Sequence, residues 1–148
     1  MRMCWRTQNK RIMAKYFTFA ELIASDVAKD KGIDNTPNWA EIDNLRNLTE
    51  RVLEKVRMLW GAPIVVNSGY RSNNLNVLVG GSANSQHKVG KAADITTGSI
   101  EGNRKLFAML EESDIEFDQL IDEYDYKWLH ISYDAMKVSQ RRQILHLK

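Results

Sequence analysis

The short interval between two strand-like runs near the C-terminal end constrains this chain most. Phe117 to Glu123 and Trp128 to Tyr133 are separated only by a tight turn near Tyr124–Tyr126. Strands joined that closely pair antiparallel, because a parallel pair needs a crossover of a dozen or more residues. Upstream the pattern is helical. Thr18 and Glu21 make a capping box, which predicts a helix through about Ala28, with a loop from Asp30 to Pro37. Ile42, Leu45, Thr49, Val52, Val56 and Leu59 recur by threes and fours, predicting a long helix from Asn38 to about Trp60 with one stripe on a core. Gly61 suits its C-terminal cap and Pro63 lies just beyond. Ile64–Asn67 and Ala92–Thr96 read as strands, with a Gly-, Asn- and Ser-rich segment between them and a short helix near Asn74–Leu78. Ile100 to Glu112 reads as an amphipathic helix. Helices first, strands concentrated later and hairpin-length turns predict an α+β fold, a mainly antiparallel sheet packed against helices.

The charge is unevenly spread. The chain has 148 residues, enough for one domain at roughly 100–200 residues each. With 43% apolar and 27% charged residues, it is neither disordered, collagen-like nor a coiled coil. Net charge is +2, yet residues 1–15 hold five basic groups and no acid, and residues 137–148 hold four and no acid. The body, 16–136, is left with 12 basic and 19 acidic groups, a net −7. We therefore expect a basic N-terminal extension (1–15), a folded domain (16–136) and a basic C-terminal tail (137–148), the ends loosely held. The ends would otherwise attract an anionic surface. No nucleic-acid partner is expected, since the body is acidic and carries no recognisable binding motif. No apolar run approaches the ~20 residues of a membrane span. Residues 1–15 lack the apolar core of a secretory signal, and Met13 is an alternative start. Cys4, the single cysteine, has no internal disulfide partner and is expected to be idle. Oligomeric state is left open.

Metal-ligand chemistry is concentrated in few residues. Of three histidines, His87 lies seven residues before Asp94, across a Gly-containing turn and into a strand. Such a turn can bring a loop imidazole and a strand carboxylate together. In the last strand Trp128, His130 and Ser132 share one face, while Leu129, Ile131 and Tyr133 share the apolar one. Two imidazoles and a carboxylate form a three-ligand set with a fourth position open, the catalytic rather than the structural arrangement. On spacing alone the same residues also read as two ordinary polar histidines. An open metal site needs a base beside it. Glu123 ends the strand before that of His130, and a hairpin places the two close. Asp118 and Asp122 fall on the opposite face, and Asp125 reads as a solvated turn carboxylate. Arg71, in Ser68-Gly69-Tyr70-Arg71-Ser72, leaves a strand through a glycine and could turn back over the sheet to grip a carboxylate or carbonyl oxygen. An isolated loop arginine is also a common surface ion-pair partner.

Taken in order, Ser68-Gly-Tyr-Arg-Ser72, Ser85-x-His-x-x-Gly-x-Ala-x-Asp94 and Trp128-Leu-His130-Ile-Ser132 resemble the zinc D-Ala-D-Ala carboxypeptidase family. That family includes vancomycin-resistance D,D-dipeptidases and phage L-alanyl-D-glutamate endolysins, and shares its fold with the hedgehog signalling domain. The resemblance spans roughly Phe17 to Tyr133 and is nearest to the compact phage-type branch. It implies a metallopeptidase domain over 16–136, with zinc held by His87, Asp94 and His130. It implies Arg71 as substrate ligand and oxyanion partner. Ser85 would hydrogen-bond substrate or fix His87; as a sequence feature it also reads as a turn cap. The implied activity is hydrolysis of peptidoglycan stem peptides containing D-amino acids, a zinc-activated water attacking the peptide carbonyl. The implied setting is a protein without a visible signal that acts on the cell wall, released by phage or prophage lysis.

One departure matters. Many members carry Asp or Glu three residues before the last histidine, where this chain has Lys127. A charged lysine accepts no proton. Either Glu123, closing the phage-like run Phe117-Asp-Gln-Leu-Ile-Asp-Glu123, supplies the base, or the chain is a catalytically inactive zinc-containing cell-wall-binding module. We take the first as the expectation.

Overall fold

The structure, a computed structural model, describes residues 14–148. Cys4, Met13 and all of the N-terminal extension except Ala14 and Lys15 lie outside the described residues. The predicted helix to Ala28 is two helices. Thr18 caps α1 (Phe19–Ile23) with a full capping box to Glu21. Ala24 is then extended, and Ser25 starts α2 (Asp26–Lys31) by accepting from the Ala28 amide. A second cap seven residues after the first outweighed helical continuity.

The long helix spans the predicted range but is not uniform. It runs as α3 (Trp39–Leu48), a π-helical turn (Thr49–Leu53) and α4 (Glu54–Trp60), closed by Gly61 in the left-handed region. Thr49 is buried, and its hydroxyl donates to the Leu45 carbonyl at 2.7 Å. The wider turn rotates the following stripe. Leu48 and Leu53 are fully buried, whereas Leu59, expected in the core, is 36% exposed.

β1 (Val65–Ser68), β2 (Ala92–Thr96), β3 (Gln119–Glu123), β4 (Trp128–Ser132) and β5 (Gln143–Leu147) form a sheet of order β1-β2-β4-β3-β5. Among the described residues, three of the four pairings are antiparallel and β3–β5 is parallel. Short α5 (Asn73–Leu78) follows β1, and α6 (Ile100–Glu112) links β2 to β3. The pleat sorts the residues. Ala93, Ile95, Leu120, Leu129 and Ile131 face the helices and join one buried cluster with Leu45, Val52, Leu106 and Phe107. Asp94, His130, Ile121 and Glu123 are left on the other face, which the helices do not cover.

The reading of 137–148 as a loose basic tail is overturned. Gln143–Leu147 is a strand in register with β3, from Gln119↔Gln143 to Glu123↔Leu147. The basic groups that suggested a tail anchor it. Arg141 and Lys137 pair with the fully buried Asp118. The Arg142 guanidinium donates to the carbonyls of Ile115, Glu111 and Ser113 around the end of α6, where helix carbonyls lack partners. The sheet therefore extends past the boundary expected at residue 136.

The β3–β4 turn places Tyr124, Asp125 and Tyr126 at positive φ, a strained run for non-glycine residues. Asn103 of α6 supports it. Its buried amide donates to the carbonyls of Tyr126 and Lys127, and its oxygen accepts from the Thr97 amide.

Candidate metal centre

Two sequence segments deliver the centre. Ser85 caps a 3-10 turn (Gln86–Val89) by accepting from the His87 amide at 3.2 Å. Gly90, at φ 77°, ends the turn where an added Cβ would lie 2.5 Å from the Glu41 carbonyl oxygen of α3. The chain then enters β2, which carries Asp94 beside His130 in register. The Arg71 loop is tied to the same turn, since the Arg71 amide donates to the His87 carbonyl at 3.0 Å. Asn35 pins the other side of that loop, donating to the Tyr70 carbonyl and accepting from the Ser72 amide.

His87 Nε2 lies 3.1 Å from Asp94 Oδ1, and His130 Nδ1 lies 3.3 Å from the same oxygen. The three donor atoms fall within 4.8 Å of one another. In a tetrahedral site with metal–ligand bonds of ~2.0–2.1 Å, neighbouring donors sit about 3.3 Å apart, so the spacing fits. The hydrogen bonding fits as well. His87 Nδ1 is 2.7 Å from the Gly69 carbonyl, which can only accept, so Nδ1 carries a proton. In a neutral ring Nε2 then presents a lone pair to a carboxylate oxygen. That arrangement calls for a cation between them, a metal ion or a second ring proton. Burial works to raise the Asp94 pKa, but the two imidazoles outweigh it and hold the carboxyl well below its ordinary range.

The donors form part of the wall of an open cleft of about 540 Å³, within the range of small-ligand sites. Arg71, Ser85, Gln86 and Glu123 also line it. Glu123 pairs with Trp128 in the register, two residues along from Ile121↔His130, so it shares the face of His130. Its Oε2 accepts from the Trp128 indole at 2.6 Å, and Oε1 has no hydrogen bond among the described residues. The Arg71 guanidinium makes no hydrogen bond among the described residues, and its Nε is buried without a partner. Burial lowers the Arg71 pKa, opposed by the nearby carboxylates of Asp94 and Glu123. Asp125 and Lys127 are exposed in the turn and do not line the cleft. Asp122 is on the helix-facing side, paired with His146 of β5.

The structure thus brings His87, Asp94, His130, Arg71, Ser85 and Glu123 to one cleft. Sequence reasoning overlooked Gln86, whose side chain stands against His130 although it lies inside the Ser85–Asp94 motif. It also overlooked Trp128 as partner of Glu123, and Leu147, which joins the cleft wall from β5.

Comparison with known proteins gives two findings. Residues 15–132 match the family model described as peptidase M15. Over 48 residues the chain is 54% identical to a zinc D-Ala-D-Ala carboxypeptidase of Streptomyces albus G; this covers 32% of the chain and 19% of that relative's length.

Proposed function

The chain belongs to the peptidase M15 family, and from that premise we propose that it is a zinc-dependent peptidase acting on D-amino-acid-containing stem peptides of peptidoglycan. The observation that carries the reading is the convergence of His87 Nε2, His130 Nδ1 and Asp94 Oδ1 in a cleft that also holds Arg71 and Glu123. The nitrogen and oxygen donors suit zinc, and three protein ligands leave a position open for substrate chemistry. The zinc relative supports the choice of metal.

His87, Asp94 and His130 would hold the ion. When bound, zinc would polarise the scissile carbonyl and lower the pKa of a water toward ~7. Glu123 would accept that water's proton at Oε1 and return it to the leaving amine. The Trp128 indole on Oε2 keeps the carboxylate aimed into the cleft. Arg71, with donors to spare, would grip the substrate carboxylate and the developing oxyanion. Ser85 holds the His87 turn through its oxygen and retains a hydroxyl hydrogen to donate to substrate. The bond cleaved is D-Ala-D-Ala in a carboxypeptidase or L-Ala-D-Glu in an endolysin-like endopeptidase.

The test is digestion of purified peptidoglycan by zinc-loaded protein, beside a chelated control, with released fragments read by mass spectrometry. New chelator-sensitive fragments establish the peptidase and identify the bond. Zinc-loaded protein that releases nothing from several wall chemotypes overturns it in favour of the inactive wall-binding module that Lys127 suggests. His87→Ala should lose the metal; unchanged zinc content would sink the ligand set.

A further inference from the structure

Gln86 stands between His130 and Asp118. Its Oε1 lies 3.3 Å from His130 Nε2, and its Nε2 donates to Asp118 Oδ2 at 3.1 Å. Asp118 is fully buried. Its oxygens receive the Lys137 ammonium at 3.0 Å and the Arg141 guanidinium at 3.0 and 2.7 Å. These partners hold the carboxyl well below its ordinary range, so it stays ionised and can only accept.

An accepting Asp118 must face the NH2 end of the Gln86 amide, which points the amide oxygen at His130. An oxygen there requires the proton on Nε2. The other nitrogen, Nδ1, is then left with the lone pair that faces Asp94. We propose that Lys137 and Arg141, acting through Asp118 and Gln86, fix the His130 tautomer required for metal binding, with Gln86 as the positioning residue. His87 reaches the complementary state by a shorter route, its Nδ1 proton held by the Gly69 carbonyl. Lys137 and Arg141 lie beyond the residues 15–132 matched by the family, so this support comes from the segment that also carries β5. The proposal rests on the reading of His130 as a metal ligand.

The experiment uses the full chain. Histidine-labelled, zinc-free protein is examined by long-range 15N–1H NMR for the His130 tautomer, and zinc affinity is measured by chelator competition. Wild-type protein should show a proton on His130 Nε2, bonded to the Gln86 oxygen. Gln86→Leu, at a half-buried position, should fold, show mixed tautomers and bind zinc roughly 10- to 100-fold more weakly, the usual effect of losing a partner behind a metal ligand. Asp118→Asn should shift both readouts in the same direction, and the double variant should be no worse than Gln86→Leu alone. If Asp118→Asn fails to fold, Gln86→Leu decides. A wild-type tautomer and wild-type zinc affinity in folded Gln86→Leu overturn the proposal, as do penalties that add in the double variant. His130→Ala separates the two levels. Unchanged zinc affinity there sinks the metal-site reading itself, whereas a loss there with none in Gln86→Leu sinks only the relay.

Discussion

The Trp128 indole Nε1 donates to Glu123 Oε2 at 2.6 Å, across the register pair that closes the β3–β4 hairpin. The bond spans a turn in which three consecutive non-glycine residues have positive φ, a turn that Asn103 secures from the helix side. A carboxylate at a strand end would ordinarily sample several rotamers. Here one oxygen is held, and the other has no hydrogen bond among the described residues. Lys127 and Asp125 lie in the same turn, exposed and away from the cleft.

Replacing Glu123 with Gln keeps the size and the acceptor for Trp128 but removes the proposed base. Turnover of peptidoglycan fragments should fall at least ~100-fold, the lower end of general-base contributions, with zinc content unchanged. Trp128→Phe keeps the Glu123 carboxylate but frees its rotamer, so it should lose activity less severely. Wild-type turnover in Glu123→Gln would remove Glu123 from the mechanism.

Arg71→Lys tests whether charge alone suffices. Lysine offers a point charge without the planar fork that binds carboxylate through two parallel bonds. The catalytic efficiency kcat/KM should drop roughly 10- to 100-fold, in line with losing charge-assisted hydrogen bonds worth about 1.5–3 kcal/mol. Zinc stoichiometry should stay the same. Equal efficiencies for the two proteins would show that Arg71 contributes only its charge.

The parts legible in the sequence were those in which one local rule decides the geometry. The two-residue period placed His130 opposite the core face formed by Leu129 and Ile131, and the strand Ala92–Thr96 has the predicted bounds. The Gly-containing turn brought His87 back to Asp94. The parts missed depend on distant partners. Arg141 and Lys137 look like solvated charges until Asp118, about twenty residues away in the chain, is seen buried beside them. β5 pairs in parallel with β3, a non-local match that a five-residue run does not announce. The π turn at Thr49–Leu53 left no mark in a periodicity that fits α-helix equally well.

Acid should weaken the hold on the C-terminal segment. Hydrogen bonds from Arg141 and then Lys137, opposed by burial, depress the folded-state pKa of Asp118 below its ordinary 3.8. A depressed carboxylate pKa adds stability that is fully present above the unfolded value and is lost as pH falls through the folded value. Asp118→Asn should therefore cost about 1.5–3 kcal/mol at neutral pH, the scale of hydrogen bonds to a charged group. The difference from wild type should shrink as pH falls below 3.8. Urea unfolding of both proteins from neutral pH into that range measures it. A difference that stays constant would show that ionisation of Asp118 is not what holds the segment.

Gly69→Ala tests whether close packing of α1 shapes the candidate metal centre. A Cβ at Gly69 would lie 2.1 Å from the Leu22 carbonyl oxygen and 2.9 Å from its carbon, both backbone atoms with little room to yield. The Tyr70 amide donates to that same Leu22 oxygen at 2.8 Å, and the Gly69 carbonyl receives His87 Nδ1. Any shift that relieves the clash therefore moves the acceptor behind a proposed ligand. Overpacking of this kind costs about 1–3 kcal/mol. Thermal denaturation should show that loss without zinc and a larger one with it, because a misplaced His87 also weakens the stabilisation that a bound ion provides. Equal losses in the two conditions would confine the effect of Gly69 to packing, and wild-type melting in both would show that α1 moves aside freely.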